Sequence, residues 1–221
     1  LSLVASIYLA VAVKEPPGER EAANVSGDRP SIASVFKIPG IIKLGLCGFL
    51  MSFFMSSFFF YFPLLARRHL PLQSYYLLLG PMVLVATVVM FGASRVADRG
   101  WAKSMGVTAF VVLAISGWLL FRGADIGLQA HPLLVLTIAG MLFFAGYTSL
   151  QPILPSLITK ASPKAVYGAA LGTFSSLQFL GSFVGGAAAG VLGALGTEFV
   201  MAALLVTAAS GVILMAQVKT T

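Results

Sequence analysis

Long apolar runs alternate with short polar turns along most of this chain. Six runs, at about 40–65, 74–91, 104–121, 132–157, 165–192 and 194–216, are each long enough to cross a bilayer. A spanning helix needs about 20 mostly apolar residues, so the pattern predicts six membrane helices. The turns between them, at 66–73, 92–103, 122–131, 158–164 and a break at Gly193, are short. Neighbouring helices are therefore expected side by side and antiparallel. Residues 1–13 are apolar but too short to span, and read as the end of a preceding helix. Residues 14–39 hold Pro16, Pro17, Gly18, Gly27 and Pro30 with charges of both signs, the composition of a solvated linker between two membrane bundles. Within it Ile32, Val35 and Phe36 share a helical face, which fits a short surface helix as well as a plain linker.

Composition sharpens this picture. Of 221 residues only 10% are charged and 58% are hydrophobic, whereas a soluble domain carries about 25% charged residues. Such a chain cannot clothe itself in a water-compatible surface, so the lipid bilayer is its first partner. The net charge of +7 would suggest nucleic acid in a soluble protein. Here the basic residues are spread over short loops with no clustered tract, so nucleic acid is not an expected partner. They read instead as orientation signals. One face collects Lys14, Arg20, Arg29, Lys37, Arg95, Arg99, Lys103, Lys160, Lys164 and Lys219; the other holds Arg67, Arg68 and Arg122. The linker and the C-terminus are accordingly expected on the cytoplasmic side, and Lys43 can snorkel to that side. Cys47 is the single cysteine, which rules out an intrachain disulfide and a cysteine-rich metal site. No motif asks for a cofactor. The chain opens at Leu1 inside an apolar run, as a fragment of a longer protein would.

An internal repeat supports the same layout. Sliding the chain by 92 residues lays 44–91 on 136–183 with eleven identities in 48 positions. Among them are Gly48 on Gly140, Ser57 on Ser149, Pro63 on Pro155, Pro71 on Pro163, Tyr75 on Tyr167, Gly80 on Gly172 and Phe91 on Phe183. Each copy takes in three helices, an odd number, so the two copies are expected to point opposite ways through the membrane. The fold class that follows is an all-α membrane bundle of two inverted three-helix repeats, a recurring transporter device.

The candidate chemistry is sparse and neutral. There is no HExxH, GxSxG or Walker loop and no cluster of His with carboxylates, so catalysis has little to stand on, an intramembrane enzyme is only a remote alternative, and no metal is expected. His69 and His131 fall in predicted outer turns and read as solvated surface groups. Charged residues fall in loops or at helix ends, with Glu198 at the outer mouth. A charge inside a membrane helix would mark an ion path, and these runs have none. What remains is a stripe of Phe144, Tyr147, Thr148, Gln151 and Pro155 on one run and Ser52, Met55, Ser56 and Phe59 on another. Tyr61 lies further along, and Ser175, Gln178 and Ser182 line up on a third. Ser56, Tyr61, Tyr147, Gln151, Ser175 and Gln178 are the expected cavity wall, offering aromatic contact and hydrogen bonds to a small-molecule substrate. The alternative for the hydroxyls is bonding to their own backbone or between helices; for the amides it is helix glue, since an unpaired amide at mid-membrane is costly.

Two further groups complete the expectations. Pro63, Pro152 and Pro155 permit bending, because proline removes a helix hydrogen bond. Gly168 and Gly172, and Gly181 and Gly185, stand at the four-residue spacing that lets helix backbones approach closely in lipid. Arg95, Asp98, Arg99 and Lys103 sit in one turn, where an acid flanked by bases forms either a switchable ion-pair latch or an ordinary orientation-setting loop.

The stretch LPSLITKASPKAVYGAALGTFSSLQFLGSFVGG and the Asp98 turn carry a family resemblance. The chain resembles the C-terminal half of a major facilitator superfamily transporter, nearest the bacterial drug:proton antiporter branch. The first stretch is similar to that branch's tenth helix, turn and eleventh helix; the turn is similar to the family's G-x-x-x-D-R-x-G-[RK]-[RK] loop. Ser94 stands where the loop has glycine, only Lys103 remains of its basic tail, and Tyr167 replaces an arginine. The resemblance implies an inner-membrane half-transporter whose partner is a missing N-terminal six-helix half, with proton-coupled efflux of small organic molecules as its function. Uptake or facilitated diffusion of a metabolite, and a non-transporting structural or sensory bundle, are the alternatives.

Overall fold

The structure, a computed structural model, describes residues 38, 40–123 and 132–218. The helix end at 1–13 and nearly all of the linker at 14–39 lie outside the described residues. Six helices among those described are long and apolar enough to span a membrane. They are α1 (Ile41–Ala66), α2 (Tyr76–Val96), α3 (Ala102–Arg122), α4 (Pro132–Ala161), α5 (Tyr167–Leu195) and α6 (Thr197–Ala216). Among the described residues the fold is all-helical.

Where the helices stop differs from the hydropathy pattern in three places, each for a local reason. Gly92 does not end α2; Ala93 is fully buried and the Ser94 hydroxyl donates to the Met90 carbonyl at 3.0 Å. The chain turns at Gly100 instead, whose φ of 91° is a left-handed conformation that only glycine takes freely. Helix α4 runs on to Ala161 because Ile158 is fully buried, and the Ser162 hydroxyl closes the end on its carbonyl at 2.7 Å. The α5–α6 break lies at Gly196, with φ 145°. Gly193 stays helical and lies against the Tyr61 ring, where a side chain would collide.

Helices α1 and α4 form the centre. Their seam is aromatic: the Phe58 and Phe143 rings stack with centroids 4.1 Å apart, and Phe54 and Phe62 extend the stack on α1. Helix α5 packs on α1, α2 packs on α4, and α3 and α6 pack on each other and on the central pair. Exchanging the two copies leaves this scheme unchanged: α1 with α5 and α6 becomes α4 with α2 and α3. Individual contacts obey the exchange too. Gly48 lies against Phe174, and Gly140 lies against Met82; both partners shift by the same 92 positions. Six segments joined by short turns alternate in direction, so the three-helix copies are inverted.

Small residues and hydroxyls close the interfaces, since in lipid the hydrophobic effect does not drive helix against helix. Gly181 and Gly185 of α5 sit on the backbone carbonyls of Phe49 and Phe53. The Ser57 hydroxyl reaches across from α1 to the Gly185 carbonyl at 2.9 Å. In the second copy Ser149, the match of Ser57, bonds its own helix at Ala145. Helices α3 and α4 are joined by the fully buried Ser116, whose hydroxyl donates to the Ala139 carbonyl at 2.7 Å.

Candidate functional site

Helical spacing places Met55 and Phe59 of α1, and Phe144, Tyr147 and Gln151 of α4, beside the aromatic seam on the side away from α3. The α3 side is filled, with Phe54 against Gly117 and with Gly146 against Ala109 and Leu113. The other side is less covered: Phe59 is 41% exposed, and Met55, Phe144, Tyr147 and Gln151 are half-buried. The Phe59 ring meets Phe143 and Phe144 edge-on, and Phe143 stacks on Tyr147. Phe143 is the hub of this group. Its four-residue spacing from Tyr147 is the signal that would have found it; the polar stripe alone points to its neighbour Phe144.

Tyr147 and Gln151 form a pair one helical turn apart. The Gln151 amide donates from Nε2 to the Tyr147 oxygen. That leaves the phenol hydrogen free to donate and the Gln151 Oε1 free to accept. Pro152 and Pro155 lie in the same turns. Neither has an N–H, so the carbonyls of Thr148 and Gln151 lose their ordinary helical partners. The Thr148 hydroxyl donates to the Phe144 carbonyl at 2.6 Å, with a longer approach of 3.4 Å to the Ala86 carbonyl of α2. Half-exposed hydrogen-bonding capacity is thus concentrated on α4.

The other expected wall residues divide. Ser56, Ser175 and Gln178 are half-buried and have no hydrogen-bond partner among the described residues. Helix α5 touches both central helices, which brings Ser175 and Gln178 to the flank of the seam. Tyr61 is not with them. It is 7% exposed, wedged between the Phe121 ring of α3 and Gly193 of α5. Its burial at the far end of α1 gives it a packing part.

The glycines and prolines divide as well. Gly181 and Gly185 make the close approach to α1, but a Cβ on Gly168 or Gly172 would meet nothing within 4 Å. Their matching spacing meets no other helix among the described residues. Pro63 lies inside α1, where its carbonyl accepts the Tyr75 hydroxyl at 3.0 Å.

The turn between α2 and α3, Ala97–Trp101, is a kink centred on Gly100, with φ 91° and ψ 0°. Arg95 and Arg99 are exposed and Lys103 is half-buried. The Asp98 side chain, and with it the expected latch, lies outside the described residues. At the opposite end of the bundle, Arg122 of α3 and Glu198 of α6 form an ion pair at 2.9 Å. Every described charge in a spanning helix lies within the first or last turn, and no group of metal-binding side chains occurs among the described residues.

Residues 1–186 match the Major Facilitator Superfamily. The chain belongs to that family. This is a transporter family without enzymatic members, and the chain is a multi-pass membrane protein. Over 55 residues, a quarter of this chain, it is 42% identical to the inner membrane transport protein YajR of Escherichia coli K12, covering 12% of that protein. Over 174 residues, 74% of this chain, it is 26% identical to an uncharacterized transporter of Buchnera aphidicola, covering 42% of it. The chain thus spans less than half the length of these relatives.

Proposed function

We propose that this chain is the C-terminal half of a secondary transporter that carries small, uncharged or weakly polar organic molecules by alternating access. The observation that carries the reading is the half-exposed Phe59–Phe144–Tyr147–Gln151 group at the crossing of two inverted repeats. Membrane transporters bind solute near the midplane at a repeat interface, on helices interrupted by proline or glycine. The large apolar side chains left exposed on α2 and α5, Phe91, Phe179 and Phe183 among them, would cover the missing six-helix half or face lipid. Export against proton entry rests on the resemblance of the α4–turn–α5 stretch to the drug:proton antiporter branch, and a cytoplasmic linker and C-terminus rest on the ten-to-three excess of basic residues on that face. Facilitated diffusion is the second reading, favoured by the lack of any described charge at mid-span.

The test is reconstitution of the full-length protein in liposomes with a proton-sensitive dye inside. Antiport predicts a substrate-dependent pH change that an imposed proton gradient accelerates. Solute flux without proton movement would leave facilitated diffusion. Asp98→Asn is expected to slow turnover several-fold with binding unchanged, whereas unaltered turnover would retire the latch.

A further inference from the structure

Two turns of the chain share one plan and stand in two conditions. The first joins α1 to α2 and the second joins α4 to α5. Three crossings separate them, so they lie at opposite faces of the membrane. Each begins from a proline inside the outgoing helix, Pro63 of α1 and Pro155 of α4. A second proline follows eight residues later and a tyrosine four beyond it: Pro71 and Tyr75, then Pro163 and Tyr167. Between second proline and tyrosine each chain makes one tight helical turn, Leu72–Ser74 and Lys164–Val166. The same backbone bond closes both. The Ser74 N–H donates to the Pro71 carbonyl at 2.9 Å, and the Val166 N–H to the Pro163 carbonyl at 3.0 Å.

The tyrosines, both half-buried, do not match. The Tyr75 hydroxyl donates to the Pro63 carbonyl at 3.0 Å, an oxygen that also accepts the Arg67 N–H at 3.0 Å. The Tyr167 hydroxyl has no hydrogen-bond partner among the described residues. The helices differ with them: α4 and α5 pack against each other, whereas α1 and α2 scarcely touch. We infer that the two tyrosine–proline pairs are matched catches that engage alternately during transport, Tyr75 on the Pro63 carbonyl at one face and Tyr167 on the Pro155 carbonyl at the other. This rests on the alternating-access reading and adds a device that sets the balance between its two states. Each first proline removes a helical bond, from the Phe59 or the Gln151 carbonyl, so the helix end beyond it can tilt. A tyrosine rooted at the start of the next helix and bonded to that proline ties the tilt to α2 or α5. Inverted copies meet the two faces in opposite roles, so a catch made at one face goes with a catch released at the other.

The test uses the full-length protein in vesicles of known orientation, with Cys47 and any other cysteine replaced by Ala and with Phe59→Cys as the reporter. A membrane-impermeant maleimide is added on one side or the other, and the ratio of the two labelling rates reports the balance of access states. Tyr75→Phe and Tyr167→Phe each delete a hydroxyl and keep the ring. They are expected to shift the ratio about fivefold in opposite directions, the scale of one ordinary hydrogen bond made in one state only. The two together should return it close to its starting value. Tyr167→Phe breaks no bond present in this structure, so a shift from it cannot come from lost packing, and it decides the matter if Tyr75→Phe folds poorly. No shift with Tyr167→Phe, or shifts in the same direction from both variants, would overturn the catches while leaving the solute path in place. Labelling from one side alone, or from neither, in every variant would overturn alternating access itself, and the catches with it.

Discussion

At the scale of single residues the sharpest distinction is among the glycines of α5. Two pairs share a four-residue spacing, and spacing alone treats them alike. Only Gly181 and Gly185 meet the α1 backbone; Gly168 and Gly172 meet no other helix among the described residues. The difference is invisible in the sequence because it depends on where α1 crosses α5, a tertiary fact. Gly185→Val is therefore expected to force the helices apart at a cost of about 1–3 kcal/mol, read as a lower thermal midpoint in detergent. Gly172→Ala should be neutral or stabilising by up to about 1 kcal/mol, the helix-propensity difference. Ser116→Ala removes the buried bond to Ala139 and should cost about 0.5–2 kcal/mol. Tyr61 teaches the same lesson from the other side. Its polar tip marks it as a wall residue in the sequence, but its position beside Gly193 makes it filler.

At the scale of helices the number, order and approximate span of the elements were legible, because lipid demands long apolar runs and the chain cannot disguise them. Their ends were less so. Gly92 and Gly193 look like stops, yet Gly100 and Gly196 are the residues with positive φ. A glycine marks permission to turn, and packing decides which permission is used. The α1–α4 seam was half legible: the polar stripe announced Tyr147 and Gln151, while Phe143, fully buried, carries no polar mark. Phe143→Leu should break the stack with Phe58 and Tyr147 and cost about 1–2 kcal/mol, more than its apolar volume alone explains. The Arg122–Glu198 pair ties α3 to α6 at an exposed edge, with 42% and 63% of the side chains accessible. Exposed pairs contribute little, so Glu198→Gln should leave the thermal midpoint nearly unchanged.

At the scale of the whole molecule the repeat organises everything. It was visible as scattered identities in the sequence and becomes physical as mirrored contacts between the copies. The central claim is that the stripe beside the α1–α4 seam faces a water-filled solute path and not the acyl chains. In full-length protein with Cys47 and any other cysteine replaced by Ala, single cysteines at Phe59, Gln151 and the exposed Ile213 of α6 can be exposed to a membrane-impermeant maleimide. The account predicts labelling at positions 59 and 151 and none at position 213. Failure of positions 59 and 151 to label from either side of the membrane would contradict it.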